Sequence, residues 1–138
     1  MAPLLLNLAS GVGAKTQSIL IVDDEPDIRE AVRALLARAI TTADVHAAGS
    51  GAEGLAYLRT HHVDLIVTDF KMPGMDGLEF LSEAKKIQPG TPRILITAFE
   101  RELADQLGPR AGVECVLTKP LEPRPLVAQC QRILDKAA

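Results

Sequence analysis

The sequence predicts an α/β fold in which one parallel sheet is covered on both faces by helices. Two observations carry that prediction. Five short apolar runs bounded by turn residues alternate with longer stretches of helical periodicity, the order that builds βαβ units. Two of the runs, SILIV from Ser18 to Val22 and LIV from Leu65 to Val67, are apolar without alternation, as strands buried on both faces are. At 138 residues the chain fits a single domain with a substantial core.

The first seventeen residues read as a leader, with a domain over 18–136. Leu4, Leu5, Leu6 and Leu8 are apolar, but no cationic segment precedes them and the run is too short for an export signal. GVGAKT at 11–16 falls short of a phosphate-binding loop, because Ala9 and Ala14 stand where that pattern needs glycine. The strand at Ser18–Val22 ends in Asp23, Asp24 and Glu25. Pro26 opens a helix, in whose first turn acidic residues suit the helix dipole. Ile28, Val32, Leu35, Leu36 and Ala39 mark its apolar stripe.

A short strand is expected around Val45–Ala48, then a helix to about Thr60 with a capping box from Ser50 and Glu53. The central strand ends at Asp69, and a Pro-Gly turn leads to a second box, Asp76 with Glu79. The helix after it carries Leu78, Phe80, Leu81, Ala84 and Ile87 and stops at Pro89-Gly90. RILITA (Arg93–Ala98) reads as the fourth strand. A helix from about Glu100 stops at Gly108-Pro109, ECVLT (Glu114–Thr118) is the fifth strand, and a final helix carries Leu126, Val127, Cys130, Ile133 and Leu134.

Composition narrows the function. A net charge of −3 leaves no basic footprint for nucleic acid. No apolar run approaches a membrane span. Cys115 and Cys130 make no disulfide framework and read as buried, reduced thiols, so the cytoplasm is the expected compartment. His46, His61 and His62 lack metal-ligand spacing and read as surface or helix-end residues.

Parallel strands point their C-terminal tips one way, which gathers Asp23, Asp24, Asp69, Thr97 and Lys119 at one edge. Carboxylates about 4 Å apart repel by roughly 4 kcal/mol at an effective dielectric near 20. A hard divalent cation removes that cost, and Mg²⁺ suits a site of few carboxylates and retained waters. Lys119 can pair with Asp69 when the cation is absent. A carboxylate beside a cation, an ammonium and a hydroxyl is placed to attack a phosphoryl group.

Over Ser18–Leu134 the chain resembles a response-regulator receiver domain, the phosphoacceptor module of two-component signalling. The segments that carry the resemblance are ILIVDDEP, DLIVTDFKMPGMDG, ILITA and VLTKP. It implies a flavodoxin-like sheet in the order 2-1-3-4-5. It makes Asp69 the phosphoacceptor, fed from the phosphohistidine of a sensor kinase or phosphotransfer protein. Asp24 and Asp69 are implied as direct Mg²⁺ ligands, Asp23 as a ligand mostly through water, and Lys71 as a ligand through its backbone carbonyl. Thr97 is implied to hydrogen-bond the phosphoryl group and Lys119 to ion-pair with it, behind a cis Lys119-Pro120 bond.

The resemblance fails at Val116, where the family usually has Tyr or Phe. Without a ring to swing, phosphorylation is expected to alter the helix after the fourth strand less than usual. Two rival readings differ in class. An interaction domain independent of phosphorylation fits Val116 but not the intact acidic set. A phosphohydrolase of the haloacid dehalogenase type needs a second Asp where this chain has Lys71. Self-phosphorylation and self-dephosphorylation of Asp69 are the only chemistry expected.

Overall fold

A computed structural model describes residues 15–98, 105, 106, 109 and 112–137. The leader up to residue 14 and most of the helix read from Glu100 to Gly108-Pro109 lie outside those residues. Within them run β1 (Gln17–Val22), α1 (Pro26–Ala39), β2 (Ala43–Ala48), α2 (Gly51–Leu58), β3 (Leu65–Asp69), α3 (Gly77–Ile87), β4 (Arg93–Thr97), β5 (Cys115–Thr118) and α4 (Pro123–Ala137). The strands form one parallel sheet in the order β2-β1-β3-β4-β5. Its register sets Val22 opposite both Ala48 and Thr68, Asp69 opposite Ile96, and Thr97 opposite Thr118, so the strand tips lie level.

Alternation along the strands splits the core into two layers. Ile19, Ile21, Val67, Ile94 and Ile96 face α1 and α4, meeting Leu36, Leu126 and Leu134. Leu20, Val22, Ile66 and Leu95 face α2 and α3, meeting Leu55, Phe80 and Leu81. β3 and β4 are buried at every residue, whereas β2 and β5 keep partly exposed residues as the sheet's edges.

Four details differ from the sequence reading. β1 starts at Gln17, inside the segment read as leader, because that residue pairs with Ala43 at the start of β2, two residues before Val45. α2 ends at Leu58, ahead of Thr60. Ile28 and Ala39 are exposed, and only Val32 and Leu36 of the stripe read on α1 are fully buried, with Ile40 beyond the helix filling the end of the core. Asp76 and Glu79 form a reciprocal capping box, but Ser50 and Glu53 form half of one. The Ser50 hydroxyl accepts the Glu53 N–H, while the Glu53 carboxylate turns to the N–H of Gly49 at 2.7 Å. The histidines behave as surface groups: His46 contacts Asp44, His62 contacts Asp64, and His61 stacks on Tyr57. Cys130 is buried, and its surroundings push the thiol up to about 12, beyond thiolate chemistry at neutral pH.

Candidate functional site

Each residue of the site sits where its strand stops. β1 ends at Val22, and Asp23 follows as a buried carboxylate, 6% exposed, with its N–H donated to Ala48 O at 3.1 Å. Asp69 closes β3 and is 4% exposed. Carboxylate oxygens of Asp23, Asp24 and Asp69 lie within 4.8 Å of one another, the only such potential metal-binding group among the described residues. Lys119 Nζ lies 3.0 Å from Asp69 Oδ1. Thr97 is buried at the tip of β4, and its carbonyl accepts the Lys119 N–H at 2.8 Å, tying the hydroxyl's residue to the lysine's. The Lys119-Pro120 bond is cis. Lys71 lies two residues beyond β3 and is exposed.

The loop after β3 is drawn tight. Phe70 N donates to Ile96 O at 2.8 Å, and Gly77 N, the first of α3, donates to Phe70 O at 2.6 Å. A segment that leaves the sheet with Asp69 therefore returns to it within eight residues.

Charge dominates the site. At 4.8 Å two carboxylates repel by about 3.5 kcal/mol at an effective dielectric near 20. Three carboxylates less one ammonium leave two net negative charges, the charge of one divalent cation, and all-oxygen donors suit a hard one. The residues present thus fit a divalent metal. The Asp23 carboxyl is held above its ordinary range by burial and by Asp69 and Asp24, against the Glu25 N–H and Lys119. Burial also opposes the charge on Lys119, but the Asp69 contact outweighs it and the ammonium is held above its ordinary range.

The Asp23 shift predicts a stability effect with a definite sign. A carboxyl whose pKa is raised in the fold binds its proton more tightly there than in the unfolded chain. The metal-free protein therefore loses stability as pH rises from 3.8 through the raised value. Asp23→Asn removes one repelling charge and keeps an acceptor for Glu25. With chelator at pH 7 it is expected to stabilise by about 1 kcal/mol, roughly 4 °C in melting temperature. Near pH 4 the gain shrinks as Asp23 protonates in the parent. Equal melting temperatures at both pH values contradict this account.

An apolar cleft of about 510 Å³ opens at the charges, lined by Val67, Ile96, Leu126, Ile28 and Leu35. Ile28 is the one exposed large hydrophobic residue among those described. A second cleft, about 400 Å³, runs past Val116 to Lys119 and Pro120.

The comparisons with known proteins converge. Residues 19–131 match the response regulator receiver domain family model. The chain belongs to the response-regulator receiver family. It is 35% identical to the transcriptional regulatory protein GlrR of Escherichia coli over 90% of this chain and 28% of that protein. It is 36% identical to a 14.6 kDa protein of Leptolyngbya boryana, over 83% of this chain and 87% of that one. The chemotaxis protein CheY4 of Vibrio cholerae superposes with a TM-score of 0.78 at 32% identity, covering 86% of this receiver and 98% of its own chain. This receiver spans less than a third of the length of GlrR. Receivers are the phosphoacceptor modules of two-component response regulators, and they work with histidine kinases. No described helix is long and apolar enough to cross a membrane.

Sequence reasoning passed over Arg29, which donates to the carbonyl of Asp23 at 2.8 Å. It also passed over Arg93, buried at the start of β4 with its Nε and Nη1 unpartnered.

Proposed function

We propose that this receiver takes a phosphoryl group from a partner's phosphohistidine onto Asp69. The observation that carries the reading is the Asp69 carboxylate, withdrawn from solvent, with an ammonium at 3.0 Å and two further carboxylates within 4.8 Å. In the transfer an Asp69 oxygen forms a bond to phosphorus, the phosphorus–nitrogen bond breaks, and the imidazole keeps the electron pair and takes up a proton. Lys119 moves from the free carboxylate to the equatorial oxygens of the transferring group, where negative charge gathers. The Thr97 hydroxyl donates to another of those oxygens. Asp23, Asp24 and Asp69, with the carbonyl of Lys71, would hold Mg²⁺, which supplies charge neutralisation when bound.

The donor is a sensor histidine kinase or a phosphotransfer protein. The cleft at Asp69, lined by Ile28 and Leu35, suits apolar side chains of a helix carrying that histidine. The chain works in the cytoplasm and turns over no external substrate; its chemistry is confined to gaining and losing the phosphoryl group at Asp69.

Beryllofluoride, a phosphoryl mimic, tests the site without a donor. With Mg²⁺ present it is expected to shift the amide resonances of Asp69, Thr97 and Lys119 in slow exchange. Chelation or Asp69→Asn should abolish the shift. An unresponsive spectrum with Mg²⁺ would favour an interaction domain that works without phosphorylation.

A further inference from the structure

Asp23 is held at three points. Its N–H reaches Ala48 O, its Oδ1 accepts the N–H of Glu25 at 3.0 Å, and its carbonyl accepts Arg29 Nη1 at 2.8 Å. Of these partners only Arg29 acts through a side chain. Its own N–H donates to Glu25 O at 2.9 Å, so the first turn of α1 and the loop before it are cross-tied at Arg29. Glu25, at the N-cap, gives no side-chain cap that could do this instead.

We propose that Arg29 is a positioning residue that holds the Asp23–Asp24 peptide in the orientation that lets both carboxylates meet one divalent cation. The inference rests on the phosphoacceptor reading of the site. The carbonyl that Arg29 grips belongs to the peptide joining Asp23 to Asp24, so pinning it sets the plane from which both side chains hang. A guanidinium suits the task, since its fork stays charged and directs its donors rigidly. Room for it is provided across the loop. A Cβ added at Gly49 would lie 3.0 Å from Arg29 Nη1, and Gly49 is itself tied to Glu53.

The two roles open to Arg29 predict effects of opposite sign. A cation near an acidic cluster lowers its affinity for another cation, so by charge alone, loss of Arg29 tightens Mg²⁺ binding. If Arg29 positions the peptide, its loss loosens binding, because Asp23 and Asp24 no longer converge without a reorganisation cost.

Calorimetric titration with Mg²⁺, paired with thermal melting, separates them. Arg29→Met keeps the apolar stem and is expected to weaken Mg²⁺ association about tenfold, with Arg29→Lys intermediate. Gly49→Val leaves the charge in place but displaces the guanidinium, and is expected to weaken association as well, so the test survives if Arg29→Met fails to fold. Unchanged or tighter association in Arg29→Met, with the parent binding normally, overturns the positioning role, whatever the melting temperature does. Failure of the parent to take up Mg²⁺ overturns the phosphoacceptor reading, and this inference with it.

Discussion

Gly77→Ala is expected to destabilise the fold by about 2–3 kcal/mol, lowering the melting temperature by roughly 10 °C. The new methyl would press on the backbone carbonyl oxygen of Asp69 and lie 2.8 Å from Phe70 Cα. These are main-chain atoms and cannot swing away as a side chain does. Relief must come from moving the start of α3 off β3, which breaks the bond from Gly77 N to Phe70 O. Alanine's advantage over glycine within a helix, at most about 1 kcal/mol, does not offset this. Because the clash is with Asp69 itself, weaker Mg²⁺ uptake is expected alongside the lower stability. A melting temperature within about 2 °C of the parent would show that the loop yields more easily than its backbone contacts imply.

The second large effect lies in the layer between the sheet and α2 and α3. Phe80 is fully buried, and Phe80→Ala is expected to cost about 3–5 kcal/mol in denaturant unfolding. Its ring lies against Gly54: a Cβ there would sit 2.8 Å from Phe80 Cε1 and 3.1 Å from Val22 Cγ2. Gly54→Ala alone sets an overpacking cost of about 1–3 kcal/mol against a helix gain of about 1 kcal/mol, for a net loss. In the Phe80→Ala background the ring is gone and only the Val22 contact is left, so the same change costs less, leaving a coupling of about 1 kcal/mol. Additive effects would contradict the contact.

The strands that were easiest to read are those the fold buries most completely. ILIV (19–22) and LIV admit no solvent-facing position, so their pattern names both the strand and its place inside the sheet. β2 is an edge built from small residues, ADVHAA, and its first turn of pairing, Gln17 with Ala43, has no strong apolar signal. On α1 the helical spacing marks the inward face but not how far the sheet extends beneath it. Ile28 lines the cleft at the strand tips yet stays exposed, and Ala39 is exposed. Ser50 with Glu53 fits two hydrogen-bonding arrangements, and the sequence does not choose between them.

The site was legible for a topological reason. Once strands are parallel, residues at or just past their C-terminal ends must share an edge, and Asp23, Asp24, Asp69, Thr97 and Lys119 all qualify. Arg29 was not legible, because a polar residue in the first turn of a helix ordinarily points to water. Nothing in the spacing says that its guanidinium returns to a carbonyl six residues back. Arg93 was hidden for the opposite reason. A charged residue opening a strand is usually its solvated end, and here it is 7% exposed, with burial pushing the guanidinium's pKa down.

The most direct test is the intact mass of the protein after incubation with a small phosphoryl donor, acetyl phosphate, or with a phosphorylated histidine kinase. The account predicts a gain of one phosphoryl group that requires Mg²⁺ and is absent in Asp69→Asn. A gain that survives Asp69→Asn, or none from either donor with Mg²⁺ present, would contradict it.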